Sequence, residues 1–158
     1  MSAPTNVATI ERFYSAFAQR DTTAMAACYR DDAIFSDPGF GQLDAREVRA
    51  MWTMLAGRAA DLRVEYRDVR ASDAEGSAHW TARYTFSKTG RAVVNEIDAR
   101  FRFADGLFVE HHDHFDFHRW SRQSLGPIGL VAGWTPWLRS KVQREARAQL
   151  TRFMQKNQ

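Results

Sequence analysis

Apolar residues recur at Val7, Ile10, Phe13, Tyr14 and Phe17, a three-to-four-residue spacing that predicts a helix over 7–18 with one buried face. Thr5 or Asn6 is placed to cap it, with Glu11 near its positive end. Asp21 is positioned to cap a second, short helix over 22–30 that buries Met25, Cys28 and Tyr29. The segment AIFSDPGFGQLD then predicts a short strand and a Pro/Gly turn. Asp44 caps a third helix, AREVRAMWTMLAG, whose Val48, Met51, Trp52 and Leu55 share a face.

After Gly57 the period drops to two. Leu62, Val64, Tyr66 and Val69 mark one strand. In the next, Trp80, Ala82, Tyr84 and Phe86 alternate with His79, Thr81, Arg83 and Thr85. Lys88-Thr89-Gly90-Arg91 reads as a hairpin turn. Beyond it Asn95, Ile97, Ala99, Phe101 and Phe103 take one face, and Glu96, Asp98, Arg100 and Arg102 the other. Ala104-Asp105-Gly106 turns again into a long strand over 107–117, with Val109, His111, Asp113 and Phe115 expected on one face. Three helices followed by an antiparallel meander give an α+β domain with helices packed on one face of the sheet.

The final forty residues break this pattern. Residues 121–134 read as an apolar, Gly-rich loop, able to act as a lid or a plug, and Pro136 opens a helix. The helix stripe Leu138, Val142, Ala146, Leu150 and Phe153 needs a surface: its own domain, a sister subunit or a membrane. The expected division is a domain over 1–120 and an extension of that same domain over 121–158.

Length and composition narrow the class. The chain has 158 residues, the size of one domain, with globular proportions of 44% hydrophobic and 26% charged residues. Its 13% aromatic content suits a domain walled around a cavity or a dense aromatic core. One cysteine, Cys28, rules out an internal disulfide framework. The first residues lack the basic and apolar regions of a signal peptide, and no run is long enough to span a membrane, so the expectation is cytoplasmic. The net charge of +3 is concentrated in residues 136–158, which hold six basic residues against Glu145 alone. The body is therefore slightly acidic, and a nucleic-acid partner is not expected.

Several strings, in order, resemble the nuclear transport factor 2-like superfamily, which includes ketosteroid isomerase, scytalone dehydratase and the SnoaL-like polyketide cyclases. They are ERFYSAFAQRD, YRDDAIFSDP, WTARYTFSKTGR and IDARFRFADGLFVEHHDHFDF, spread over 7–117. The resemblance implies a cone in which a curved antiparallel sheet wraps around helices and leaves a deep apolar pocket. It also implies pairing of two copies through the sheet. Members range from enzymes to transport and assembly modules, so the fold alone does not supply the chemistry.

Asp37, in Ser36-Asp37-Pro38, matches the turn where ketosteroid isomerase-like proteins carry a general-base aspartate. A carboxylate at an apolar rim suits proton abstraction beside a carbonyl, while Asp-Pro also favours turns with no chemical role. The isomerase oxyanion hole is not reproduced: its tyrosine position is Phe13, with Tyr14 one residue away. Its sheet acid falls on Ala99, with Asp98 one residue off and expected to point outward.

His111 and Asp113, two apart on a strand and so roughly 6.5–7 Å from each other, are expected either to share a ligand in proton transfer or to form a structural pair. Phe13, Phe17, Tyr29, Trp52, Trp80, Tyr84, Asn95, Phe101 and Phe115 are the expected ligand-binding residues, with core packing the alternative for each aromatic. The expected ligand is an apolar small molecule, such as a cyclic carbonyl compound. Four of the five histidines lie in HHDHFDFH, but His112, His114 and His118 alternate to the outer face, so no metal and no organic cofactor is expected. Two functional readings remain: a cofactor-independent isomerase, cyclase or lyase using Asp37, His111 and Asp113, or a non-catalytic ligand-binding or homodimeric assembly module.

Overall fold

Helix-start chemistry sets most boundaries of the computed structural model, which describes residues 2–157. Helix α1 (Ala3–Ala18) starts from Ser2, whose side chain accepts from the Thr5 amide. The expected cap Asn6 instead lies inside the helix, its amide donating to the carbonyls of Ser72 and Asp73. Asp21 caps α2 (Thr22–Ala26), and Asp44 caps α3 (Ala45–Arg58) in a reciprocal box with Glu47. Between them lie β1 (Tyr29–Asp37) and β2 (Gly41–Asp44). Tyr29 thus opens a strand rather than closing a helix.

The meander follows as β3 (Arg63–Ala71), β4 (Glu75–Phe86), β5 (Arg91–Ala104) and β6 (Leu107–His114). One sheet of six strands results, in the order β2-β1-β6-β5-β4-β3. The meander is antiparallel as expected, but β1 runs parallel to β6, so the sheet is mixed. The inner face of β5 alternates as read, with Val93, Asn95, Ile97, Ala99, Phe101 and Phe103 buried. Asp98 points outward, pairing with His79 on the far face.

Two irregularities redirect side chains. In β3 the register shifts between Arg67 and Arg70, and Asp68 adopts φ 58°, which lets Val69 rejoin the face of Val64 and Tyr66. In β6, Phe103 opposes Phe108 while Arg102 opposes Glu110, leaving Val109 as the extra residue. His111 and Asp113 point inward as expected, joined by Phe108, whereas the bulge removes Val109 from their face and it does not share their burial.

The stretch read as a loop over 121–134 is mostly helical. It contains the end of α4 (Phe117–Leu125) and all of α5 (Pro127–Ala132) before α6 (Pro136–Lys156). Glycine content suggested a loop, but these glycines serve close packing. A Cβ on Gly129 would run into the Ser121 carbonyl, and one on Gly133 into the Ser121 hydroxyl. Gln123 fastens α4 to the sheet, donating to the Val94 carbonyl at 3.0 Å and accepting from the Val94 amide at 2.7 Å. The stripe of α6 finds its surface within the chain: Leu138 and Leu150 are buried, and Ala146, Phe153 and Met154 pack on the core.

Candidate active site

An aromatic cluster forms a plug where α1 and α3 meet β1, β5 and β6. Phe13 of α1 makes edge contacts with Tyr29, Trp52, Phe108 and His111 at centroid distances of 5.7, 5.8, 5.5 and 5.6 Å. Phe101 lies against Phe108 at 4.4 Å and His111 at 4.5 Å. The members of this plug are almost wholly buried, so polar atoms in it require internal partners.

Those partners form one chain. Trp52 Nε1–H donates to the Tyr29 hydroxyl at 2.9 Å, and that hydroxyl lies 2.7 Å from His111 Nδ1. His111 Nε2 lies 2.9 Å from Asp113 Oδ1, which also accepts from Trp80 Nε1–H at 3.4 Å. Read from donor to acceptor, the line runs indole, phenol, imidazole, carboxylate, and ends on the cavity wall. Burial holds the Tyr29 phenol well above its ordinary pKa, so it keeps its proton.

Beyond the plug lies a cavity of about 410 Å³, mostly apolar in its walls. Phe17, Trp52, Trp80, Tyr84, Asn95 and Phe115 line it, together with Asp37 and Asp113. Phe13, Tyr29, Phe101 and His111 do not. Their side chains are consumed by the plug, so the structure puts His111 behind Asp113 rather than beside it. Tyr14 is likewise buried, stacked on Tyr66 at 5.5 Å.

Two polar groups facing the cavity keep hydrogen-bonding atoms free. Asp113 Oδ2 has no hydrogen-bond partner among the described residues, and neither does the Asn95 side-chain amide, although Asn95 is only 8% exposed. Tyr84 accepts from Trp120 Nε1–H at 2.8 Å.

Asp37 sits at the end of β1, where the tight turn into β2 lets its Oδ1 accept from the Phe40 amide at 2.6 Å. Burial of the carboxyl outweighs that bond, and the nearby Asp113 charge adds to it, raising the Asp37 pKa to about 7. A carboxyl balanced between its two protonation states at neutral pH is suited to taking and returning a proton.

Sequence reasoning missed the outer third of the cavity. Arg58 of α3, Lys88 of the β4–β5 hairpin, Trp120 of α4, and Val142, Ala146 and Gln149 of α6 all border it. The only signal was the unassigned stripe of α6, which contains Val142 and Ala146. At the mouth, Lys88 Nζ lies 3.1 Å from Glu145, and Arg58 Nη1 donates to Gln149 at 2.8 Å.

On the outer face of the sheet, His112 Nδ1 lies 2.6 Å from the Ser36 hydroxyl, and His114 is exposed. Among the described residues no three His, Cys, Asp or Glu side chains converge as a metal site, and no helix is long and apolar enough to cross a membrane.

Comparison with solved structures finds the same architecture repeatedly. An LEH-like epoxide hydrolase of M. tuberculosis superposes with a TM-score of 0.66 at 21% identity, covering 82% of this chain and 95% of that one. IdmH of Streptomyces antibioticus, a presumed polyketide cyclase, gives 0.64 at 22%, covering 75% and 96%. Bal32a, from a soil-derived mobile gene cassette, gives 0.68 at 21%, covering 77% and 97%. At these identities the likeness is one of fold. A search of curated proteins found no match. The sequence model of the SnoaL-like domain covers residues 10–111, from the first buried turn of α1 to the histidine behind Asp113, and the chain belongs to that family, within the NTF2-like superfamily.

Proposed function

We propose that the cavity binds an apolar cyclic carbonyl compound and that the protein catalyses a proton transfer on it: isomerisation, cyclisation or dehydration. The observation that carries this reading is Asp37, a carboxyl facing an apolar cavity with a pKa of about 7. Asp37 takes a proton from the carbon next to the carbonyl and returns it at another position. The free Asn95 amide donates to the carbonyl oxygen as charge develops there. Asp113, fixed by His111 and Trp80, orients the ligand through its free oxygen, and the line back to Trp52 holds that carboxylate in place. The volume of about 410 Å³ fits a ligand of one to three fused rings. Family membership, and neighbours described as a cyclase and an epoxide hydrolase, support a small-molecule pocket in general terms.

The test does not need the natural substrate. Exchange of α-protons for deuterium on bound cyclic ketones, followed by NMR in heavy water, is expected to be accelerated by the protein and not by Asp37→Asn. Equal acceleration by both would overturn the assignment. Binding without any acceleration would favour the non-catalytic reading.

That second reading has its own observation. Ile128, Leu130, Val131, Trp134 and Trp137 are 60–72% exposed on α5, the link that follows it and the start of α6, an apolar surface that a second copy of the chain would cover in a homodimer.

A further inference from the structure

The family match ends at residue 111, yet α6 reaches back to the turn that carries Asp37. Gln143 Nε2–H donates to the Pro38 carbonyl at 3.0 Å. One turn later, Arg147 Nη1–H donates to two more carbonyls, Phe40 at 3.1 Å and Gln42 at 2.7 Å. The other Arg147 nitrogen, Nη2, lies 3.7 Å from Glu47, the residue that closes the capping box of α3. Three carbonyls within five residues are thus held by two side chains of a helix outside the matched family region. The same turn presents the Phe40 amide to Asp37. Neighbouring positions of α6, Val142 and Ala146, line the cavity itself.

We infer that Gln143 and Arg147 are positioning residues for Asp37: from α6 they clamp the 38–42 turn and so fix where its carboxyl sits and how much water reaches it. The inference deepens the proposed function by extending the site into the C-terminal helix. It rests on that reading only for the importance of Asp37 to turnover, not for the clamp. Spacing supports the pairing, since positions 143 and 147 are four apart and share one helix face. A guanidinium spans two carbonyls where an ammonium, a point charge, holds one well. Titratable groups near Asp37 on other elements are Asp113 of β6 and Tyr84 of β4, with Lys88 and Glu145 at the mouth.

The experiment is a ¹³C NMR titration of the side-chain carboxyls in the full-length protein, comparing wild type with Gln143→Ala, Arg147→Ala and Arg147→Lys. A loosened turn admits water, and burial is the largest influence on the Asp37 carboxyl. Its midpoint is therefore expected to fall by about one unit or more in Arg147→Ala, by less in Gln143→Ala, and to recover partly in Arg147→Lys. Glu96, on the outer face, serves as the control and keeps its midpoint. Amide exchange at Phe40 is expected to quicken about tenfold in the alanine variants. An unchanged Asp37 midpoint and unchanged Phe40 protection in folded Arg147→Ala would overturn the clamp. Loss of fold in Arg147→Ala shifts the decision to Gln143→Ala, judged by the same two readouts. Turnover surviving in Asp37→Asn would sink the catalytic role of Asp37 and leave this result standing.

Discussion

Replacing Asp37 by Asn tests the electrostatics of the site through stability alone. The native carboxyl releases its proton near pH 7, while in the unfolded chain the ordinary value of 3.8 applies. Between those values folding takes up a proton, so the favourable contribution is complete below 3.8 and is lost as pH rises through 7. Integrating that difference gives a penalty of roughly 1.7 kcal/mol at pH 5 and about 4 kcal/mol above pH 8. Because the turn lies at the cavity rim, solvent access reduces the upper figure to about 2–4 kcal/mol. Asparagine keeps an oxygen for the Phe40 amide and does not titrate, so the variant escapes the penalty. In a domain of this size each kcal/mol moves the melting midpoint by about 2–4 °C. Melts at pH 5 and pH 8.5 are therefore expected to show Asp37→Asn more stable than wild type, with a gap that widens as pH rises, by up to about 2 kcal/mol. A gap independent of pH, or one that narrows as pH rises, would refute the claim that Asp37 is a half-buried carboxylate destabilised by its apolar surroundings.

Three further outcomes follow from the geometry. His111→Phe keeps the ring but leaves the Tyr29 hydroxyl and Asp113 Oδ1 each short of a partner, and urea denaturation is expected to show a loss of about 2–4 kcal/mol. Gly129→Ala places a methyl against the Ser121 carbonyl, so α5 separates from α4; limited proteolysis is expected to cut near 126–134 in the variant before it cuts wild type. If a second copy covers the exposed apolar surface over α5 and the start of α6, Trp134→Lys together with Trp137→Lys lowers the mass in analytical ultracentrifugation to that of one chain, and an unchanged mass would remove this surface from consideration.

Local signals were the legible ones. Asp44 followed three residues later by Glu47 specifies a helix start by hydrogen bonding within four residues, and the structure uses both bonds. Strict alternation fixed the inner face of β5 and the outward direction of Asp98, since a strand has only two faces. The bulge at Val109 was not legible, because it depends on how β6 registers against β5 and on nothing in its own composition. That single residue takes Val109 off the face it was expected to share, while His111 and Asp113 keep the inward direction that alternation gives them. Gly129 and Gly133 misled in another way: they read as flexibility but serve contact between two helices. Asp37 and Asp113 were legible as candidates, whereas the outer wall of the cavity was not. Residues of α6 reach it through tertiary packing on α3 and on the 38–42 turn, which no periodicity encodes.

The parallel pairing of β1 with β6 has a kinetic consequence. Strands β3 to β6 join through short connections and can zip together from local contacts. Ser36 and His112, adjacent across the β1–β6 seam, are 76 residues apart in sequence. Among the strand pairings, closing that loop is the most demanding entropically, and it is rewarded only when β1 docks. Because β1 supplies both Tyr29 and Asp37, the plug and the carboxyl at the rim are expected to come together late, after the meander has formed. Weakening this seam should speed unfolding far more than it slows folding, making it the part of the molecule whose persistence sets the lifetime of the assembled cavity.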